Sequence, residues 1–256
     1  LLIADEVGVG KTIETGLIIK ELQARLGIES ILVICPKPLV SEKKWFDEMK
    51  RFDEQFIAVD GASLKHCINE THLEGDWPDN FKKCIIPFSL FDSDTLFGTS
   101  KKHKHKQLGL INLDPAPKFD LVIVDEAHHA RNSDTYIHQA VRYFCDNASA
   151  VIFLTATPIQ LGNKDLFTLL NLMRPDLIID KPSFEQMAEP NVFINNAIKK
   201  CRENKKDWSK LALKELQKCK ATEWGRVFLC NSTDYINISN NLTLEIQKDE
   251  NRLKLI

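Results

Sequence analysis

Paired cysteines, long apolar runs and an excess of charge are all missing from this 256-residue chain. Seven cysteines stand at 35, 67, 84, 145, 201, 219 and 230, and no two form a C-x-x-C pair. Several lie inside apolar runs (ILVIC, KCIIPF, VFLC), where a free thiol behaves as a small buried hydrophobe. That argues against a disulfide framework and for a reducing, cytoplasmic setting. No run of 18 apolar residues occurs, so no membrane-spanning helix and no membrane partner are expected. The formal net charge is −2 and the pI about 6.4. Any nucleic-acid surface must therefore be a local patch rather than a property of the whole chain.

What is present begins with DEVGVGKT, residues 5 to 12. Gly8 and Gly10 flank Val9 and allow the backbone to curl, so that successive N–H groups point at an anion. The apolar LLIA before the loop reads as the end of a strand. TIETGLIIKELQARLG after it reads as a helix, with Ile13, Leu17, Ile18, Leu22 and Leu26 at helical spacing and Gly27 as the stop. Strand, glycine loop and helix N-terminus together bind nucleotide phosphates, because the helix dipole adds to the amides. Lys11 would reach the β- and γ-phosphates of ATP, and the Thr12 hydroxyl would ligate Mg2+. Asp5 stands where the common phosphate-loop pattern has glycine, and an ordinary glycine turn opening a helix is the competing reading.

The segment KFDLVIVDEAHHARN, residues 118 to 132, decides between the two. Leu121 to Val124 form a continuous apolar run, as in a strand buried on both faces of a parallel sheet. Acidic residues at the carboxyl end of such a strand lie where α/β folds bind ligands. Asp125 is thus a candidate magnesium holder, and Glu126 a candidate to orient or deprotonate the attacking water. His128 and His129 are adjacent and point in different directions, which disfavours a shared metal.

Four segments in this order, DEVGVGKT, ILVICPKPLV, DEAHHARN and LTATPIQLGNKDLFTLLNLMRPD, resemble the first lobe of Swi/Snf-type ATPases of helicase superfamily two. The family's own loop reads DE-x-G-x-G-K-T, so Asp5 fits it. The doubled histidine and TIETGLIIKEL look closest to the bacterial branch of RNA-polymerase-recycling and phage-defence relatives. The resemblance implies a RecA-like, three-layer α/β domain with a mainly parallel sheet over residues 1–176, using ATP and Mg2+ and partnering double-stranded DNA. RNA polymerase or another nucleoprotein complex is implied as a further partner. Lys37 and Ser41, after the ILVIC strand, would meet DNA phosphates, sequence-blind chemistry suited to a lysine, a hydroxyl and backbone amides. Lys43 and Lys44 fit a solvated helix face equally well. His128, Thr155 and Thr157 would couple the nucleotide state to DNA grip.

Elsewhere, strands are expected at 30–35, 56–59, 84–87 and 150–154, and one helix from Leu39 to Phe52 with Trp45, Met49 and Phe52 on one face. Asn163 would cap a helix running to Met173. KKHKHK, residues 101 to 106, is either a loop along a phosphate backbone or a solvated loop kept extended by its charge. Residues 177–256 read as a partly helical appendage, with Ile194, Ala197, Ile198, Cys201, Leu211, Leu216 and Cys219 in a helical stripe. The tail from Thr222 to Ile246 shows β-like alternation. The resemblance also implies an adenine-recognising segment upstream and a second helicase lobe downstream. Both are missing from these residues, so the chain alone is expected to hydrolyse ATP poorly.

Overall fold

The computed structural model describes residues 1–5, 8–99, 108–156, 163–176, 180–203 and 207–253. They divide into two compact units, Leu1–Leu177 and Ile178–Ile256. In the first unit the elements run β1 (Leu2–Ile3), α1 (Lys11–Leu26), β2 (Ile31–Cys35), α2 (Lys37–Ser41), α3 (Lys44–Lys50), β3 (Ile57–Ala58), α4 (Gly61–Glu74), β4 (Lys83–Pro87), α5 (Ser93–Phe97), β5 (Phe119–Val124), α6 (Tyr136–Asp146), β6 (Ala148–Leu154) and α7 (Asn163–Met173). The strands form one sheet in the order β1-β6-β5-β2-β4-β3, and every pairing is parallel.

Successive residues of a strand point to opposite faces, and both faces here are apolar. Leu32, Ile34, Cys84, Ile86, Val122 and Val124 pack on one side with Ile68 of α4, Phe144 of α6 and Leu172 of α7. Ile31, Val33, Cys35, Ile85, Leu121 and Ile123 pack on the other with Ile19 of α1 and Trp45 and Met49 of α3. The result is the expected three-layer α/β architecture, with every strand's carboxyl end on the same edge.

Two expectations about the helices change. The segment from Leu39 to Phe52 is two helices, because Lys43 adopts a left-handed conformation (φ 56°) between α2 and α3. The break turns Trp45 and Met49 fully into the core. On α1 the apolar spacing misleads. Ile13, Leu17 and Leu26 are exposed, and the buried positions are Thr15, Gly16 and Ile19. A Cβ on Gly16 would stand 2.3 Å from the Phe52 ring, so the helix packs through its smallest residue.

A buried carboxylate ties this layer to the sheet. Glu54 accepts hydrogen bonds from Lys20 of α1 at 2.8 Å and Lys83 of β4 at 2.6 Å, with its side chain 3% exposed. Burial alone would push its pKa up, but the two lysines outweigh that and hold it below the usual glutamate value.

The second unit contains α8 (Lys181–Ala188), α9 (Asn191–Glu203), α10 (Trp208–Gln217) and α11 (Thr233–Leu253). Its core gathers Ala197, Ala212, Leu216, Cys219, Tyr235 and Leu242. Of the predicted stripe, Ile198, Leu211 and Cys201 are exposed. The tail is helical rather than β-like. A π-helical turn at Gly225–Leu229 leads into α11, where Tyr235 and Leu242, seven residues apart, supply the buried face. Ser232 marks the helix start by accepting from the Tyr235 N–H at 3.3 Å. Five of the seven cysteines are buried, Cys230 is half-buried and Cys201 is exposed. No helix among the described residues is long and apolar enough to cross a membrane.

Replacing Glu54 with Gln leaves two ammonium groups near the core with no carboxylate. Because both can still reach water, the cost should be about 2 kcal/mol rather than the roughly 3–5 kcal/mol of a sealed pair. A carboxylate whose folded pKa is depressed stabilises above its unfolded value, about 4.3 for glutamate, and loses that contribution as pH falls through the folded pKa. Urea denaturation should show the full difference between Glu54→Gln and the parent at pH 7, and none in strong acid.

Candidate active site

The phosphate loop leaves the end of β1 and enters α1 through two glycines in left-handed conformations, Gly8 (φ 86°) and Gly10 (φ 98°). The Gly10 carbonyl accepts from the N–H groups of Ile13 and Glu14 at 2.8 and 3.0 Å, closing the first turn of a 16-residue helix. A Cβ at Gly8 would meet nothing within 4 Å, so its surroundings stand open to a ligand. Lys11 Nζ donates to the Asp5 carbonyl at 2.9 Å, spanning the mouth of the loop. Val9 turns its side chain outward and lends only backbone.

Asp125 extends β5 by one residue. Its N–H donates to the Ile34 carbonyl at 2.8 Å, and the residue is 7% exposed. Two donors serve the carboxylate: Trp45 Nε1 to Oδ2 at 2.9 Å and the Glu126 N–H to Oδ1 at 2.8 Å. Burial is the main influence on Asp125 and raises its pKa, with Glu126 adding to the rise and the Trp45 bond opposing it. Glu126 follows in a left-handed conformation (φ 52°, ψ 48°), unusual for a residue with a Cβ, and opens a short 3-10 turn, Ala127–Ala130. The turn buries Ala127 and Ala130 and swings the Glu126 carboxylate toward the loop.

A cavity of about 210 Å³ collects these groups. Gly8, Gly10, Lys11, Thr12 and Ile13 line it from the loop side, Asp125 and Glu126 from β5, and Leu39, Lys44 and Glu48 from the segment after β2. Six of the predicted residues thus meet in one place. The donor set suits a magnesium–nucleotide polyphosphate: inward-turning amides at a helix start, a lysine, a hydroxyl and a carboxylate already fixed by two hydrogen bonds. Trp45, Lys44 and Glu48 were missed as site residues. They read as a core aromatic and a solvated face, and only the break at Lys43 brings them here.

The other predicted residues lie outside the cavity. Lys37 and Ser41 are exposed at the start and end of α2, on the carboxyl edge of the sheet, and the Ser41 hydroxyl donates back to Pro38 O at 3.1 Å. His128 Nδ1 sits 3.2 Å from Glu126 Oε2, and this buried nitrogen makes no hydrogen bond among the described residues. Contrary to the expectation that adjacent histidines point apart, the His128 ring stacks on His129 at 4.5 Å, and His129 leans on Phe88 at 5.4 Å. Burial lowers the His129 pKa, which keeps that ring neutral. Thr155 is buried just beyond β6, where its N–H donates to Ile3 O at 3.1 Å. Thr157 and the KKHKHK run lie outside the described residues.

Comparison with known proteins identifies the family of the chain. A family model described as the SNF2-related domain matches residues 1–229. RNA polymerase-associated protein RapA of Vibrio atlanticus (strain LGP32) is 33% identical over 202 residues, 77% of this chain and 19% of that protein. An uncharacterized ATP-dependent helicase, YqhH of Bacillus subtilis (strain 168), is 31% identical over 189 residues, 72% of this chain and 28% of its own length. Among solved structures, the Sulfolobus solfataricus SWI2/SNF2 ATPase core in complex with dsDNA aligns with a TM-score of 0.53 at 21% identity. That match covers 74% of this chain and 35% of the other, and it establishes the fold. The chain therefore spans less than a third of the length of these curated relatives.

Trp45→Phe keeps an aromatic core side chain but removes the donor to Asp125 Oδ2. Loss of a hydrogen bond to a charged group costs about 1.5 kcal/mol, so calorimetry should find magnesium–nucleotide binding about tenfold weaker. Binding of the same nucleotide in EDTA should be unchanged, because Asp125 would act only through the metal.

Proposed function

Because this chain belongs to the SNF2-related domain family, we propose that it is the ATP-binding lobe of a DNA-dependent ATPase that moves along double-stranded DNA. The observation that carries the reading is the cavity where Lys11, Thr12, Asp125 and Glu126 converge on the glycine loop. Gly8 and Gly10 turn their amides toward the phosphates, and the N-terminus of α1 adds its dipole. Lys11 holds the β- and γ-phosphates. Thr12 and Asp125 hold Mg2+, which when bound neutralises charge on the phosphate oxygens. Glu126 accepts a proton from the attacking water, and its strained backbone aims the carboxylate across the cavity.

Lys37 and Ser41 supply phosphate contacts to DNA from the same edge of the sheet, and His128, Thr155 and Thr157 relay the state of the nucleotide to them. The stack of His128, His129 and Phe88 gives that relay a packed path, beginning at Glu126 and ending on the strand-end turn after β4. RNA polymerase or a similar nucleoprotein complex is the partner suggested by the relatives named for that association. The protein acts in the bacterial cytoplasm. The described helices of the second unit, α8 to α11, serve as a protrusion or linker toward a second lobe, which brings the arginines that complete the site.

The decisive measurement is ATP turnover by this chain and by the longer protein that carries it, with and without blunt-ended duplex DNA, using Glu126→Gln as the blank. The longer protein should be strongly stimulated by blunt duplex. The chain alone should stay about a thousandfold slower, the usual worth of an arginine supplied from elsewhere. Stimulation only by single strands or RNA would replace the translocase reading with that of a strand-separating helicase. Robust DNA-stimulated turnover by this chain alone would overturn the need for a second lobe.

A further inference from the structure

The cavity holds three carboxylates, Asp125, Glu126 and Glu48, and two ammonium groups, Lys11 and Lys44. Lys11 belongs to the glycine loop. Lys44 comes from elsewhere in the chain, as the first residue of α3, and reaches the cavity because left-handed Lys43 redirects the helix. Trp45 then turns into the core, while Lys44 and Glu48, one helical turn apart, line the cavity wall. Lys50, further along the same helix, is exposed and pairs with Asp47 at 3.1 Å. Glu48 Oε2 is shielded from solvent and receives no hydrogen bond, and its nearest cation, Arg51 Nη1, is 3.6 Å away. A shielded acceptor of this kind is costly until a donor arrives. Lys44 lines the cavity together with Asp125 and Glu126, which form its acidic end. That is the end where Glu126 would meet the terminal phosphate.

We propose that Lys44 is a second phosphate-binding cation of this pocket, holding the terminal phosphate of a nucleoside triphosphate, with Glu48 accepting one of its N–H bonds once the ligand is in place. The assignment rests on the ATP-binding reading above and deepens it. Lysine is suited to the role as a compact point charge on a flexible stem that follows the phosphate. Because the contact is with the terminal group, Lys44 makes the pocket discriminate triphosphate from diphosphate.

The test is equilibrium binding of a non-hydrolysable ATP analogue and of ADP, both with Mg2+, to the 256-residue chain. Lys44→Gln should weaken the triphosphate analogue about tenfold, the worth of one charge-assisted hydrogen bond, and ADP far less. Lys44→Arg should restore most of the difference, and Lys50→Gln should change neither affinity. Lys44 is exposed and makes no core contact, so a folding defect does not confound the comparison. If Lys44→Gln stays within about twofold of the parent for the triphosphate while Lys11→Ala abolishes binding, the proposal is wrong and the pocket reading stands. If the unmodified chain binds neither nucleotide, both fall together.

Discussion

The hydrogen bond from the Trp45 indole to Asp125 organises this molecule's working edge. A carboxylate that is 7% exposed must be supplied with donors, and the Trp45 indole and the neighbouring Glu126 amide provide two. Each imposes a backbone consequence. To deliver the indole, α3 must break away from α2 at Lys43. To fold its own amide back, Glu126 must take a left-handed conformation that costs on the order of 1–2 kcal/mol. Among the described residues of the first unit, two of the three non-glycine positive-φ positions, Lys43 and Glu126, thus trace to one buried acid, the third being Asp53. The strain is tolerated because strands β2 and β5 on either side of it are packed on both faces.

That packing also explains why the chemistry is gathered on one side of the sheet. In an all-parallel sheet every strand delivers its last residue to the same edge. The loop after β1, the turn after β2, the acids after β5 and Thr155 after β6 are therefore neighbours without any special device. The opposite edge carries register instead. There Asp120 Oδ2 accepts from the Glu29 and Ser30 N–H groups at 2.8 and 2.9 Å, fixing where β2 and β5 start against each other. Alignment at one end places the acids at the other.

The fold and the phosphate loop were legible because they rest on local rules. Continuous apolar runs such as Leu121 to Val124 mark doubly covered strands, and glycines before a Lys-Thr pair mark an anion-binding turn. Helix faces were harder to read. On α1 the apolar residues Ile13 and Leu17 are exposed, while Thr15 and Gly16 are buried, because Phe52 presses so close that only a small residue fits. Such a contact depends on a partner 36 positions away and leaves no periodic trace. The roles of Trp45, Lys44 and Glu48 were hidden for a similar reason. Their direction depends on one φ angle at a lysine, a residue whose identity does not announce a left-handed turn. The tail misled because Ile236 and Ile238 alternate like a strand, while the residues that pack, Tyr235 and Leu242, lie on a helical period.

The cysteines carry a consequence of a different kind. Burial pushes the thiols of Cys35 and Cys67 up to about 12, and those of Cys84 and Cys145 higher still. At neutral pH none of the four is a usable nucleophile. All of them belong to the nucleotide-binding unit, whereas the exposed Cys201 sits on α9 of the second unit. A maleimide dye added to the native chain would therefore spare the first unit and mark the second. The protein comes with a built-in handle for optical work, carried by the unit that holds none of the residues lining the glycine-loop cavity.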